Sequence, residues 1–145
     1  MPYIMELTAQ YRRRRVKDSL IRQSANSSER IYALFRYLEK ETREKVICVH
    51  LNPALEILSY EIVAIGTAQR SLLDMAGLFR GILLSGASRF VIIHNHPLGA
   101  SSPSQNDRQI ADKIQLACAL YDIPMIDFMI IGEDGYCSFD EAGLL

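Results

Sequence analysis

The feature of the sequence that most restricts its fold is a set of short, mainly apolar runs rich in β-branched residues. Val46–Leu51, Phe90–Ile93 and Ile126–Ile131 are four to six residues long and lack helical periodicity. Runs of this kind are typical of strands that are buried on both faces. We therefore expect a sheet that is covered by helices on both sides.

Segments with helical spacing lie between these runs. In Ser28–Glu41 the apolar residues recur every three to four positions, and Ser27 or Ser28 is a suitable N-cap. The other predicted helices are Asp74–Leu84 and Ser104–Leu120. The remaining predicted strands are Leu55–Leu58 and Glu61–Gly66, as antiparallel neighbours of the first strand, and Tyr136–Phe139 at an edge. This order predicts an α/β (α+β) fold in three layers, with a mixed β-sheet flanked by helices.

Composition agrees with a globular domain and excludes several classes of protein. The chain has 145 residues, 49% hydrophobic residues and a net charge of −1. No apolar run approaches the roughly 20 residues of a membrane helix, and the N-terminus lacks a secretory signal pattern. Three cysteines without Cys-x-x-Cys spacing argue against a disulfide framework or a thiolate zinc site. We therefore expect a cytoplasmic protein that does not bind membranes.

Charge is distributed unevenly along the chain. Residues 1–45 contain 11 Lys+Arg and 6 Asp+Glu, whereas residues 46–145 contain 5 and 11. The sequence predicts a basic N-terminal arm or helix over residues 1–27, followed by one domain over residues 28–145. The arm contains the run Arg12–Arg15. Such runs are more often solvated helix surface, so we do not expect nucleic-acid binding. The alternative interpretation is that the run contacts nucleic acid or an acidic partner.

The residues with the clearest chemistry follow the run Phe90–Ile93. His94 and His96 are two positions apart on a strand and therefore face the same side, within reach of one metal ion. Ser104 and Asp107 open the next helix one turn apart, and a strand–loop–helix connection can return Asp107 to the histidines. Two histidines and one aspartate leave a position for water, as in catalytic zinc sites.

Other interpretations of the same residues remain. Ser-x-x-Asp before a helix is also an ordinary capping pattern. Two histidines and a carboxylate also bind iron, although iron oxygenases of that type use many-stranded folds. His50, inside a predicted buried strand, is expected to be a hydrogen-bonded core residue, and Cys118 and Cys137 are expected to be packing residues.

The pattern His94-x-His96, seven residues, then Ser104-x-x-Asp107 resembles the motif of the JAMM (MPN+) metalloproteases. Over residues 27–145 the surrounding sequence is similar to the bacterial RadC family. The resemblance implies a JAB/MPN (cytidine deaminase-like) architecture. It also implies one zinc ion per chain held by His94, His96 and Asp107, with Ser104 stabilising an oxyanion.

The resemblance further implies a zinc-dependent hydrolase, of metallopeptidase or isopeptidase type, with a peptide or protein substrate. The alternative is a non-catalytic RadC-type module in DNA repair or protein assembly. The resemblance does not decide whether the chain is catalytically active, which substrate it takes, or whether it forms a homo-oligomer. Longer family members carry a helix-hairpin-helix domain, which we expect this chain to lack.

The family uses a glutamate as general base where a helix end leads into a buried strand. Glu44 occupies that position here, with Glu41 and Glu61 as alternatives. The sequence departs from the family at Leu98, where a small polar residue is usual, and at Phe128, where a histidine is common. It also has Leu73-Asp74-Met75 in place of a Pro-Arg-Glu segment.

Overall fold

The computed structural model describes residues 1–8, 24–66 and 73–145. In these ranges the chain forms three α-helices and five strands. In chain order they are α1 (Ser28–Phe35), β1 (Glu44–Leu51), β2 (Ile57–Gly66), α2 (Met75–Ser85), β3 (Arg89–Asn95), α3 (Gln105–Tyr121), β4 (Met125–Gly132) and β5 (Gly135–Ser138). The strands form one sheet in the order β2-β1-β3-β4-β5, in which β3 and β4 are parallel and the other pairs are antiparallel. The predicted α+β class with a mixed sheet is confirmed.

Both faces of the sheet are covered, which explains the continuous apolar runs. On one face, Cys48, Ile92 and Ile130 belong to a core that includes residues of α2 and α3. On the other face, Val49 and Val91 belong to a second core that includes residues of α1. Because strand side chains alternate between the faces, each central strand contributes to both cores.

Two predicted elements differ from the structure. The helix predicted over Ser28–Glu41 ends at Phe35 and continues as a 3₁₀ helix over Arg36–Lys40. This tighter turn, which is common where an α-helix ends, still places Leu38 in the core at 1% exposure. The two strands predicted within residues 55–66 are one strand, β2, with irregular pairing at two points. Its polar residues are tolerated because β2 lies at the sheet edge and is largely exposed.

The residues just before α1 contact the sheet. Ser24 forms an isolated antiparallel bridge with Glu56, and Ala25 is 2% exposed within the second core. The basic run Arg12–Arg15 lies outside the described residues. Among the helices of residues 24–66 and 73–145, none combines the length and the hydropathy that crossing a bilayer requires.

Candidate metal centre

The structure brings His94, His96 and Asp107 together. His94 is near the end of β3, His96 follows the strand, and Asp107 is in the first turn of α3. One potential ligand atom from each residue lies within 4.8 Å of the others. Asp107 Oδ1 lies 2.9 Å from His94 Nδ1, and Asp107 Oδ2 lies 3.1 Å from His96 Nε2. The strand–loop–helix connection therefore returns Asp107 to the histidines, as the sequence predicts.

Ser104 caps α3 and contacts Asp107 at the same time. Its hydroxyl oxygen accepts a hydrogen bond from Asp107 N at 3.1 Å. Asp107 Oδ2 in turn accepts hydrogen bonds from Ser104 N and Ser104 Oγ, both at 2.8 Å. This is a capping box. The capping interpretation of Ser-x-x-Asp is therefore confirmed, and it is compatible with a role at a metal centre, because the cap also orients Asp107 and places a hydroxyl beside it.

The loop after β3 fixes the ring of His96. His96 Nδ1 lies 2.8 Å from the carbonyl oxygen of Ala100; because a carbonyl only accepts, Nδ1 carries the proton. The loop itself rests on Gly132, where a Cβ atom would lie 2.5 Å from Ser101 N and 2.6 Å from Gly99 O. Only a glycine at this position lets the loop approach β4 so closely. The sequence did not single out Ala100, because a backbone carbonyl leaves no signal in residue type.

Among the three candidate bases, the structure places Glu44 at this centre. Glu44 is the first residue of β1 and is 6% exposed, and its Oε1 contacts His94 Nε2. Glu41 instead pairs with Lys45 Nζ at 3.1 Å, and the exposed Glu61 lies against Gly81 of α2. Glu44 Oε2 is buried and has no hydrogen-bond partner within the described part of the chain.

The carboxylates control the protonation of the histidines. Burial lowers the pKa of His94, but hydrogen bonds from its ring to Asp107 and Glu44 outweigh this effect and raise the pKa to about 9. The hydrogen bond to Asp107 also raises the pKa of His96. Burial would raise the pKa of Asp107, yet its bonds to both histidines and to Ser104 hold that pKa well below its usual range. Asp107 is therefore an anion over the physiological pH range.

The other residues considered from the sequence lie elsewhere. His50 is 3% exposed, and its Nδ1 lies 2.8 Å from Ser59 Oγ, which agrees with a hydrogen-bonded core residue. Burial lowers the pKa of His50 to about 4. Cys118 is buried and Cys137 is half-buried. Leu98, two positions after His96, is 87% exposed and has a positive φ of 56°.

Comparison with known proteins identifies the family. A family model described as a RadC-like JAB domain matches residues 25–144. The chain belongs to the RadC family. The match includes all five residues of the candidate centre, namely Glu44, His94, His96, Ser104 and Asp107.

Several relatives of this RadC-family chain are named UPF0758 proteins. A UPF0758 protein of Pelodictyon phaeoclathratiforme is 33% identical over 129 residues, which cover 84% of this chain and 58% of that protein. A UPF0758 protein of Thermotoga maritima is 34% identical over 128 residues, with 86% and 56% coverage. A UPF0758 protein of Methanosarcina acetivorans is 31% identical over 120 residues, with 82% and 52% coverage. The chain thus spans little more than half the length of these curated relatives.

Proposed function

We propose that this RadC-family chain is a zinc-dependent hydrolase of the JAMM type, which cleaves peptide or isopeptide bonds in a peptide or protein substrate. The observation that carries the proposal is the convergence of His94, His96 and Asp107, whose candidate ligand atoms lie within 4.8 Å of one another. Glu44 meets His94 from a different strand.

The residues at this centre fit a zinc ion. Two imidazoles and one carboxylate are one of the three-ligand sets that catalytic zinc sites use. The hydrogen bond from His96 Nδ1 to Ala100 is the outer contact that metal-binding histidines usually make. The buried Glu44 Oε2 needs a hydrogen-bond donor, because an unpaired buried oxygen is costly. A water bound at such a centre is a donor of the right kind.

When bound, zinc would lower the pKa of its water to roughly 7 and polarise the substrate carbonyl. In our proposal, Glu44 accepts the proton of the attacking water and delivers it to the leaving amine. In the structure the Ser104 hydroxyl donates to Asp107 Oδ2; in our proposal it rotates and donates this hydrogen to the oxyanion that develops on the substrate. Burial of Glu44 and Asp107, at 6% and 1% exposure, strengthens these electrostatic interactions by excluding water.

Elemental analysis combined with a peptide-library assay tests this proposal. We expect the wild-type protein to bind about one zinc ion per chain, and His94→Ala, His96→Ala and Asp107→Ala to lose it. Glu44→Gln should retain zinc and hydrolyse about 10²–10⁴-fold more slowly, the contribution of a positioned base. Glu41→Gln is the matched control, because Glu41 belongs to the same charged segment but pairs with Lys45; it should behave as wild type.

Several outcomes would contradict the proposal. Zinc retained in all three ligand variants would exclude the site, and a fully active Glu44→Gln variant would exclude the base. Iron in place of zinc would favour oxygenase chemistry. If the wild-type protein binds zinc but cleaves no member of the library, the non-catalytic module gains support.

A further inference from the structure

Asn95 stands between the two histidines in sequence but points away from them. Side chains alternate along a strand, so Asn95 faces the side of β3 opposite to His94. It is 1% exposed, and its neighbours on that side of the strand, Val91 and Ile93, are apolar core residues. A buried amide in this apolar setting is costly unless it is fully hydrogen-bonded. Its hydrogen bonds are therefore informative.

The Asn95 side chain bonds to the backbone on both sides of Glu44 and also to the carbonyl group of Leu38. Asn95 Oδ1 accepts from Lys45 N at 2.6 Å. Asn95 Nδ2 donates to Arg43 O at 3.0 Å and to Leu38 O at 3.4 Å. The Arg43 carbonyl and the Lys45 amide belong to the two peptide groups on either side of the Glu44 Cα atom. One side chain thus holds both peptide groups that set the backbone conformation of Glu44.

Strand pairing at Glu44 is one-sided, because Glu44 pairs with Gly66 of β2 but has no backbone partner in β3. The backbone register between β1 and β3 runs from Leu51 and Arg89 to Val46 and His94, and does not extend to Glu44. The Asn95 side chain continues the connection beyond the last backbone pair. It therefore joins the strand that carries the histidines to the start of the strand that carries Glu44.

We infer that Asn95 is a positioning residue, which holds the Glu44 carboxylate in place for proton transfer by fixing the two flanking peptide groups. This inference rests on the proposed function, because it assigns Glu44 the role of base. The tripeptide His94-Asn95-His96 then has two tasks, with the histidines facing the metal on one side and Asn95 fixing the base from the other. Displacement of a catalytic group by about 1 Å can cost about 10²-fold in rate.

The test compares Asn95→Ala and Asn95→Asp with wild-type protein. Asn95→Ala removes both hydrogen bonds to the peptide groups, whereas Asn95→Asp keeps an acceptor for Lys45 N but loses the donor. We expect kcat to fall about 10²-fold in Asn95→Ala, with KM and zinc affinity unchanged. Amide exchange measured by NMR should become about tenfold faster at Lys45 in Asn95→Ala and should remain protected in Asn95→Asp.

A double-mutant cycle separates positioning from general stabilisation. If Asn95 acts through Glu44, Asn95→Ala should cause no further loss of kcat in a Glu44→Gln background. Asn52→Ala is the matched control. Asn52 also bonds to backbone, accepting from Ala54 N and Glu56 N at 2.9 Å, but it lies just beyond the opposite end of β1. It should lower stability and leave kcat and zinc affinity unchanged.

The inference has clear contrary results. An unprotected Lys45 amide in the wild-type protein would exclude the hydrogen bond itself, whether or not any variant folds. An equal loss of kcat in the presence and absence of the Glu44 carboxylate would show a structural role only. The proposed function fails by a different result, an inactive wild-type protein, and the exchange measurements then still decide whether Asn95 fixes this backbone.

Discussion

Gly132→Ala is the substitution for which the structure gives the most detailed expectation. Gly132 ends β4, and the loop after β3 crosses directly over it. A Cβ atom at this position would lie 2.5 Å from Ser101 N, 2.6 Å from Gly99 O and 2.7 Å from the carbonyl carbon of Ala100. All three atoms belong to backbone, so no side-chain rotation can relieve the contact.

The size of the effect follows from these distances. An ordinary van der Waals contact begins near 3.4 Å, so the loop must move by about 0.7–0.9 Å. Forcing extra atoms into a packed region costs about 1–3 kcal/mol. Gly132 is not among the glycines with positive φ. Replacing a glycine whose backbone suits alanine normally stabilises a protein by about 0.4–1 kcal/mol. At Gly132 the backbone contact outweighs this gain, so we expect Gly132→Ala to destabilise the protein.

The displaced loop carries the carbonyl group that orients His96. Ala100 O accepts from His96 Nδ1 at 2.8 Å, and a shift of the size given above would lengthen this bond to the limit of hydrogen bonding. Loss of an outer hydrogen bond to a metal-binding histidine typically costs about 10–100-fold in metal affinity. Gly132→Ala should therefore weaken zinc binding although it changes none of the proposed ligands.

Urea unfolding and zinc competition with a chelator measure both effects. Gly66→Ala is the matched control, because Gly66 also ends a strand and its Cβ would meet no atom of the described residues within 4 Å. We expect Gly66→Ala to match or exceed wild-type stability, with unchanged zinc affinity. A Gly132→Ala protein that is as stable as wild type and binds zinc as tightly would refute the argument from loop contact.

Three further expectations concern single residues. Ser104→Ala should lower the free energy of unfolding by about 1 kcal/mol through loss of the helix cap, whereas Ser104→Gly should lower it by a few tenths. Both variants should hydrolyse substrate about 10²–10³-fold more slowly if the hydroxyl stabilises the oxyanion. Equal activity in wild type and both variants would exclude that role. Burial raises the pKa of Asp127 despite its hydrogen bonds from Ser138 and Asp140, so the contribution of this carboxyl to stability falls as pH rises through its folded pKa. In urea unfolding, the stability of Asp127→Asn relative to wild type should therefore increase from pH 4 to pH 7. A decrease would contradict the assignment. Burial lowers the pKa of His50 to about 4, so this residue adds about 3 kcal/mol to the free energy of unfolding above pH 6.5, and this is lost as pH falls towards 4. His50→Phe should make stability less dependent on pH in this range. An imidazole that titrates near 6.5 by NMR would contradict this prediction.

The sequence predicted the parts of the fold that depend on local pattern. The apolar runs became central strands because burial on both faces requires side chains such as Ile92 and Ile93 at every position. His94 and His96 face one side because of the two-residue strand period, and Asp107 returns because the connection is short. The sequence pattern predicts two strands, Leu55–Leu58 and Glu61–Gly66, where the structure has the single strand β2, because an exposed edge strand does not need a continuous apolar pattern.

Features that depend on strand register could not be read from the sequence. Glu44 and Glu41 belong to one run of charged residues, and Glu61 begins another predicted strand. Neither position shows which carboxylate reaches a distant strand. The pairing of Val46 with His94 decides this in the structure. The role of Asn95 depends on the same register, since its backbone partner Lys45 lies 50 positions earlier in the chain.

The spacing of the candidate site along the chain affects how metal content should be interpreted. His94, His96 and Asp107 lie within one strand–loop–helix segment, whereas Glu44 reaches His94 across 50 residues. Because a short loop loses less entropy on closing than a long one, the segment that carries the proposed ligands can stay ordered after the start of β1 detaches. On mild heating we therefore expect turnover to disappear before bound metal is released, so a full complement of metal would not by itself show that a preparation is active.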